Sequence, residues 1–309
     1  GEIFEQELDE VGPGQVRVRA LFSGISRGTE SLVFQGRVPV SQYQSMRAPF
    51  QEGDFPGPVK YGYASVGRVE LGPATLVNQV VFCLYPHQDV YVAPETAVIA
   101  LPEAVPPDRA ILAANAETAV NIVWDAAMGP GDRVCVIGGG VVGCLVTWLA
   151  ARTPGTRVTL VDIEPGRARL AEHFGASFAS PDDAPDDQDV VVHTSASEPG
   201  LSTALACAGD EATIIEASWY GNLQPSAPFG EDFHARRLTL KSSQVGQLPP
   251  HRRPRWDHRR RLALALSLLD DTRLDALISG QSRFDELPQT MARLANGGGE
   301  ALCHRITYA

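Results

Sequence analysis

Polar and apolar positions alternate over Gln15–Phe22 (QVRVRALF), the period-two pattern of a strand with one buried face. Val80–Tyr85 and Asp89–Val92 read as further short strands, and glycines and prolines punctuate this part to about Pro106. The pattern changes near Arg109. Arg109–Ala126 is alanine-rich and helical, and MGPGD (128–132) turns it into a continuous apolar strand, Arg133–Gly139. Strands and helices then alternate: strand Arg157–Ile163, helix Pro165–Phe174, strand Asp189–His193, helix Leu201–Ala208, and strands Glu211–Ser218 and Leu238–Val245. This alternation predicts a parallel sheet with helices on both faces. From about Leu248 the pattern predicts helices over Arg259–Leu269 and Leu287–Leu294 and a closing strand over Ala301–Tyr308. This tail is expected to fold back onto the first domain.

A chain of 309 residues is long enough for two domains, each with its own core. Its 44% apolar and 20% charged residues are those of a soluble globular protein. The net charge of -11 argues against nucleic acid or a membrane surface as partner. The longest apolar stretch, Val141–Ala151, is too short to span a bilayer. Cys83, Cys135, Cys144, Cys207 and Cys303 are scattered among apolar neighbours, which suggests reduced, buried thiols and a cytoplasmic location. No secretory leader is recognised, and opening on Gly1 rather than an initiator Met leaves the start open to trimming. Residues 181–189 carry five aspartates and read as a solvated loop, with a cation site as the alternative. Residues 251–261 hold six arginines, which suits either an anionic substrate or a solvated helix start or subunit contact.

The densest chemical signal is Gly138-Gly-Gly140-Val141-Val142-Gly143. The motif follows a buried strand, opens an apolar helix and precedes a second strand that ends in Asp162, which is the dinucleotide-binding (Rossmann) pattern. Gly138 permits the tight turn, Gly140 admits a pyrophosphate, and Gly143 lets helix pack on strand. The helix N-terminus offers unpaired N–H groups to the phosphates. Asp162, 19 residues after Gly143, suits the adenosine ribose hydroxyls and disfavours a 2′-phosphate, so NAD is expected over NADP. Ile163 lies beside it, and Arg167 softens the preference. Ser195 and His193, at the end of another strand, stand where the ribose would be met, with a buried, satisfied histidine as the alternative. Trp219 and Tyr220, at the next strand end, suit either the nicotinamide pocket or core packing.

With those residues in place, LFSGISRGTE (21–30), GPVKYGYASVGRVE (57–70), ETAVN (117–121) and GDRVCVIGGGVVG (131–143) resemble the medium-chain dehydrogenase/reductase superfamily over nearly the whole chain. SGISRGTE is also similar to a segment of the bacteriochlorophyllide hydroxyethyl dehydrogenases. The resemblance implies an α/β fold: a Rossmann doubly wound parallel sheet (119–247) plus a β-rich GroES-like catalytic domain (1–118 and 248–309). It also implies a homodimer, formed through an edge of the cofactor-domain sheet. Zinc enzymes of the superfamily hold their metal at positions occupied here by Ser26 or Arg27, by Tyr63-Ala64, and by Ala114 or Asn115. These are not zinc ligands, and the four-cysteine structural lobe is missing, so the chain reads as a zinc-independent member of the zinc-binding alcohol dehydrogenase-like group. A metal site drawing on His87, His193 or Glu117 is the remaining metal alternative.

Without zinc, the acid/base chemistry falls to side chains. Tyr63 is the first candidate, with Lys60 three residues earlier as the charge that would favour its phenolate, provided the segment is a loop. The alternative makes Tyr63 a pocket wall and Lys60 a surface charge. By resemblance, Thr29 would relay the substrate proton, Glu30 would be structural or catalytic, and Thr118 would touch the nicotinamide. Glu117 is either catalytic or a helix cap. The expected activity is hydride transfer between NAD(H) and a small alcohol or carbonyl. An enone or quinone reductase and a non-catalytic NAD(H)-binding protein are the alternatives.

Overall fold

The computed structural model describes residues 1–297 and 301–308. Along the chain come β1 (Gln15–Ser26), α1 (Arg27–Phe34), β2 (Ser65–Leu71), β3 (Val80–Cys83), β4 (Val90–Pro94), β5 (Val98–Ala100), α2 (Pro107–Ala110) and α3 (Ala113–Ala126). The alternating part follows: β6 (Arg133–Ile137), α4 (Val141–Ala150), β7 (Arg157–Val161), α5 (Ala168–Phe174), β8 (Ser177–Ala179), β9 (Gln188–His193), α6 (Glu198–Cys207), β10 (Ala208–Glu216), α7 (Asp232–Ala235) and β11 (Thr239–Ser242). Last are α8 (His258–Ser267), β12 (Ile278–Arg283), α9 (Leu287–Ala295) and β13 (Cys303–Thr307). The predicted helix Arg109–Ala126 is two helices, and the one predicted over Pro165–Phe174 begins as a 3-10 turn, where Pro165 supplies no N–H. The strand β8 was too short to leave a pattern.

Two compact units result: Gly1–Ala114 with Leu262–Ala309, and Asn115–Arg261. Residues 248–261, grouped with the catalytic part in the sequence reading, lie in the second unit.

In the first unit β1 is the shared strand of a seven-stranded sheet ordered β12-β13-β1-β2-β3-β5. Its first half pairs with β4 and its second half with β13, both antiparallel, while β2 runs along its other edge. The first half alternates buried and open, as its sequence predicts; Ser23–Ser26 are buried on both faces. The change has a packing cause. Val16 and Val18 join a one-sided core with Val69, Val81 and Tyr91, whereas Ile25 packs with Met291 and Leu294 of α9 and Ile306 of β13. The end of the chain thus returns to the first unit. Arg109 of α2 helps hold it there, with Nε and Nη2 donating to the two carboxylate oxygens of Asp275 at 2.7 and 2.8 Å.

The second unit is a six-stranded sheet, ordered β11-β10-β9-β6-β7-β8 and parallel throughout. Numbered within the unit this is 6-5-4-1-2-3, the doubly wound order whose direction of winding reverses between β6 and β9. Its inner strands are near-continuous apolar runs because both faces are covered. The arginine-rich segment is largely spent on this unit's own packing. Arg252 lies 4.9 Å from the Trp124 ring and Arg260 4.0 Å from Trp256, and Arg253 donates to the Leu248 carbonyl. Arg261, 1% exposed, donates to Glu117 at 3.0 Å, to Asn121 and to the Val245 carbonyl.

Replacing Arg261 with Met should therefore destabilise the protein by about 3–5 kcal/mol, because Glu117 is left buried without its cation. Urea unfolding measures this. A change under about 1 kcal/mol would show that the pair contributes little.

Candidate active site

Two centres carry the candidate chemistry, one in each unit. In the second unit, the β6–α4 turn sits at the reversal point of the sheet, where ligands of such folds are held beyond the carboxyl ends of the strands. Gly138 has φ +104°, and a Cβ there would lie 2.8 Å from the Ser195 backbone nitrogen. A Cβ on Gly143 would fall 1.8 Å from the Gly138 carbonyl oxygen and 2.7 Å from Thr194 Oγ1. Both positions therefore require glycine for packing. Gly140 differs: a Cβ there would meet nothing within 4 Å, so the space over the start of α4 is open. Gly140 is the N-cap residue and has no side chain to cap the helix. Val141 and Val142 form the first turn of α4, both partly exposed. An open cradle at uncapped N–H groups fits a dinucleotide pyrophosphate.

Asp162 follows β7 directly. Its Oδ2 accepts a hydrogen bond from the Gly139 N–H and its Oδ1 one from Glu164 N–H, so the carboxylate is anchored at the rim of the same turn. Ile163 beside it is 87% exposed. Arg167 is buried, with its aliphatic stem against Gly139. Thr118 lies on α3, partly buried.

At the end of β9, His193 is fully buried. Its Nδ1 lies 2.7 Å from Glu216 Oε2 and its Nε2 2.6 Å from Ser195 Oγ. Tyr220 donates to the same Glu216 oxygen at 3.0 Å. Burial pushes Glu216 up, but His193 and Ser218 outweigh it and hold the carboxyl below its usual range. The imidazole thus orients an exposed Ser195 hydroxyl beside Gly138. Trp219 is partly buried.

In the first unit, the loop 57–64 precedes β2, and the structure separates the two residues that sequence had paired. Lys60 turns to Glu52, to Gln88 at 2.8 Å and to Gln6 at 3.3 Å. Tyr63 instead meets Ser26 and Thr29. Burial and the Glu30 charge raise its hydroxyl well above the usual tyrosine value, while hydrogen bonds with Ser26 and Thr29 pull it partly back. Tyr63 is therefore a neutral phenol and not the phenolate that a neighbouring ammonium would favour. Tyr61 packs edge-on to it, ring centres 6.1 Å apart.

Glu30, on the first turn of α1 and 3% exposed, accepts from the Ser26 N–H at 2.7 Å and lies 2.9 Å from His87 Nε2. His87 Nδ1 is 2.7 Å from Ser23 Oγ, which shares a 2.9 Å hydrogen bond with the Tyr308 hydroxyl. Gly62, φ +122°, makes room for this ring: a Cβ would lie 2.8 Å from His87 Cδ2. Sequence reasoning named His87 only as a stray metal donor and missed Ser23 and Tyr308, because residues 23, 30, 87 and 308 share no local pattern. Glu117 lies within α3 and is engaged by Arg261.

Among the described residues, no three His, Cys, Asp or Glu side chains group to hold a metal ion. The described free cysteines Cys83, Cys135, Cys144, Cys207 and Cys303 are all buried. Asp187 and Asp189 of the acidic loop are bound by Arg133. Among the described residues no helix is long and apolar enough to cross a membrane.

The backbone superimposes on those of solved dehydrogenases. Alcohol dehydrogenase TADH from Thermus sp. ATN1 superimposes with a TM-score of 0.76 at 19% identity, covering 100% of this chain and 96% of that one. An alcohol dehydrogenase (rspB) from Escherichia coli CFT073, solved with the cofactor NADH, gives 0.76 at 16% identity over 99% and 95%. The chain has their fold. D-xylulose reductase A of Aspergillus oryzae is 28% identical over 155 residues, which span 43% of this chain and 43% of that protein. No protein-family model matches the chain.

Two glycine variants separate packing from ligand space. Gly143→Ala should destabilise the protein by about 3 kcal/mol or more through backbone overlap. Gly140→Asn keeps a good N-cap residue and should leave the urea midpoint unchanged while weakening NADH at least about tenfold, ~1.4 kcal/mol. A third test uses pH. Because the folded value of Glu216 lies below its unfolded one, its stabilisation is present above about pH 4.3 and is lost as pH falls through the folded value. Glu216→Gln should thus flatten the stability curve over that acid range, as followed by urea unfolding from pH 3 to 6.

Proposed function

We propose that this protein is an NAD(H)-dependent, zinc-independent oxidoreductase that interconverts a small alcohol and its carbonyl compound. The open, glycine-lined cradle at the reversal point of the parallel sheet carries the proposal. Gly138, Gly140 and Gly143 with the N-terminus of α4 would hold the pyrophosphate, Asp162 the adenosine ribose, and Ser195, oriented by His193, a further hydroxyl. When bound, the cofactor supplies the site that takes or gives hydride. The Asp162 carboxylate, anchored by two backbone N–H groups, favours NAD over NADP by repelling a 2′-phosphate. The names of the structural neighbours and of D-xylulose reductase A support alcohol and carbonyl chemistry over enone or quinone reduction.

Zinc independence rests on the donor set. The positions that would hold the metal carry Ser26 or Arg27, Tyr63-Ala64 and Ala114 or Asn115, and Tyr63 is hydrogen-bonded to Ser26 and Thr29. None of these supplies the imidazole, thiolate or carboxylate that zinc needs. The protein groups must then polarise the oxygen. Tyr63, neutral and fixed by two hydroxyls, donates a hydrogen bond to a carbonyl or accepts the proton of an alcohol through exchange with Thr29. A homodimer through an edge of the six-stranded sheet, β8 or β11, belongs to the same reading.

Fluorescence titration with NADH and NADPH, alongside metal analysis, tests the cofactor and the metal together. NADH should bind more tightly than NADPH and be indifferent to added zinc. Stoichiometric, tightly held zinc would overturn zinc independence, and no binding of either dinucleotide would overturn the activity. On a turned-over alcohol, Tyr63→Phe should lower kcat by about 10²–10⁴ with NADH affinity unchanged, whereas Lys60→Ala, which breaks the contacts to Glu52, Gln88 and Gln6 and none to Tyr63, should stay within about twofold.

A further inference from the structure

We propose that Glu30, His87, Ser23 and Tyr308 form a proton path that carries the proton released in alcohol oxidation from the Tyr63 hydroxyl cluster to an open crevice at Tyr308. The proposal rests on the oxidoreductase reading for its purpose and on geometry for its existence. In the oxidation, the substrate C–H bond breaks and hydride leaves to the bound nicotinamide. The O–H bond breaks, its electron pair becomes the carbonyl π-bond, and one proton remains for the protein to remove. Nothing else needs to be supplied for atoms and charge to balance.

The path consists of short links between buried groups. Glu30 is 3% and Ser23 1% exposed, and the His87 side chain 6%. Placing a carboxylate and an imidazole there costs solvation that apolar side chains of similar size would not cost. Each neighbour lies 2.7–2.9 Å from the next, and His87 uses both ring nitrogens, one toward Glu30 and one toward Ser23. The imidazole of His87 and the hydroxyls of Ser23 and Tyr308 can each accept and donate, while Glu30 takes up a proton as the carboxylate and gives it on as the acid, which is what proton hopping requires. The inner end adjoins the proposed acid/base through Ser26, which hydrogen-bonds Tyr63 and donates its backbone N–H to Glu30 at 2.7 Å, and the Glu30 charge acts on both Tyr63 and Tyr61. The outer end is open. Tyr308 lines a crevice of about 300 Å³ together with Arg19, Asp89, Thr307, Arg283 and Asp285. Burial keeps Tyr308 protonated, so it passes a proton by accepting one while releasing its own.

The ionisable and charged groups around the imidazole are Glu30 from α1, Tyr61 and Tyr63 from the loop whose Gly62 abuts the ring, Asp89 from its own loop, Tyr308 beyond Ser23, and Cys303 near Glu30. The ring is hydrogen-bonded to Glu30 on one side and, through Ser23, to Tyr308 on the other, which marks the direction of the path.

The test needs no known substrate. In ¹⁵N-labelled protein, the His87 ring N–H signal, assigned by its loss in His87→Gln, should exchange with water despite its burial. Tyr308→Phe and Ser23→Ala should each slow that exchange at least about tenfold, with backbone amide protection unchanged as the control for folding. On a turned-over alcohol the same variants should lower kcat about tenfold and raise the solvent isotope effect, with NADH affinity unchanged. Exchange equally fast in both variants overturns the path whatever the turnover. Slowed exchange with no alcohol oxidised by the parent protein upholds the path and removes the dehydrogenase reading instead. Slowed exchange with kcat unaltered in both variants overturns its role in the reaction.

Discussion

A carboxylate taken out of water imposes conditions on everything near it, and in the first unit that carboxylate is Glu30. One oxygen is met by the Ser26 N–H, which exists there because β1 ends and α1 begins at that residue. The other is met by His87, which can reach it only because Gly62 has no side chain. The charge is felt by Tyr61, Tyr63, Cys303 and Tyr308, each of which is held in its protonated form by burial with Glu30 adding to it. Cys303 is pushed up to about 12, so it is a poor nucleophile at neutral pH. One buried charge thus makes this region a store of exchangeable but tightly held protons, which suits acid/base work on a neutral substrate.

The second unit depends on steric exclusion instead. Gly138 and Gly143 have no room for a Cβ, and Thr194 closes the turn by donating to the Ile137 and Gly138 carbonyls. With the turn packed so closely, open space remains over Gly140 and the uncapped start of α4. Rigid packing below and free space above are two consequences of the same glycines, and together they suit the proposed pyrophosphate site. His193 and Glu216 extend the order to the next strand end, where a fully buried imidazole holds a serine at the surface.

The fold shared with solved alcohol dehydrogenases bears on the proposed zinc-independent chemistry only through the backbone. At under 20% identity, the neighbours speak for the backbone alone. The donor atoms are this chain's own, and the proposed zinc-independent reading rests on the hydroxyls and phenol that stand where the sequence resemblance would put zinc ligands. Hydroxyl donors stabilise a developing alkoxide less than a divalent cation does. A dry, charge-tuned environment around Tyr63 is the compensation this architecture offers.

Much of the second unit was legible in the chain because its signals are local. Strand, glycine turn, helix and Asp162 follow one another within 30 residues, and period, turn chemistry and spacing all agree. The half-buried face of β1 was legible for the same reason, although its fully buried second half was not, since that depends on α9 and β13 arriving from the far end of the chain. Sequence also carried the expectation, from the family resemblance, that the usual zinc ligands are missing. Only the tertiary structure decided where the charges pair. It sent Lys60 to Glu52 and away from Tyr63, and Arg261 to Glu117 and away from any ligand. It also joined Glu30, His87, Ser23 and Tyr308 into one chain of hydrogen bonds. A side-chain partner is chosen by distances that strand pairing creates between residues up to 285 positions apart, and no period or motif encodes such a distance.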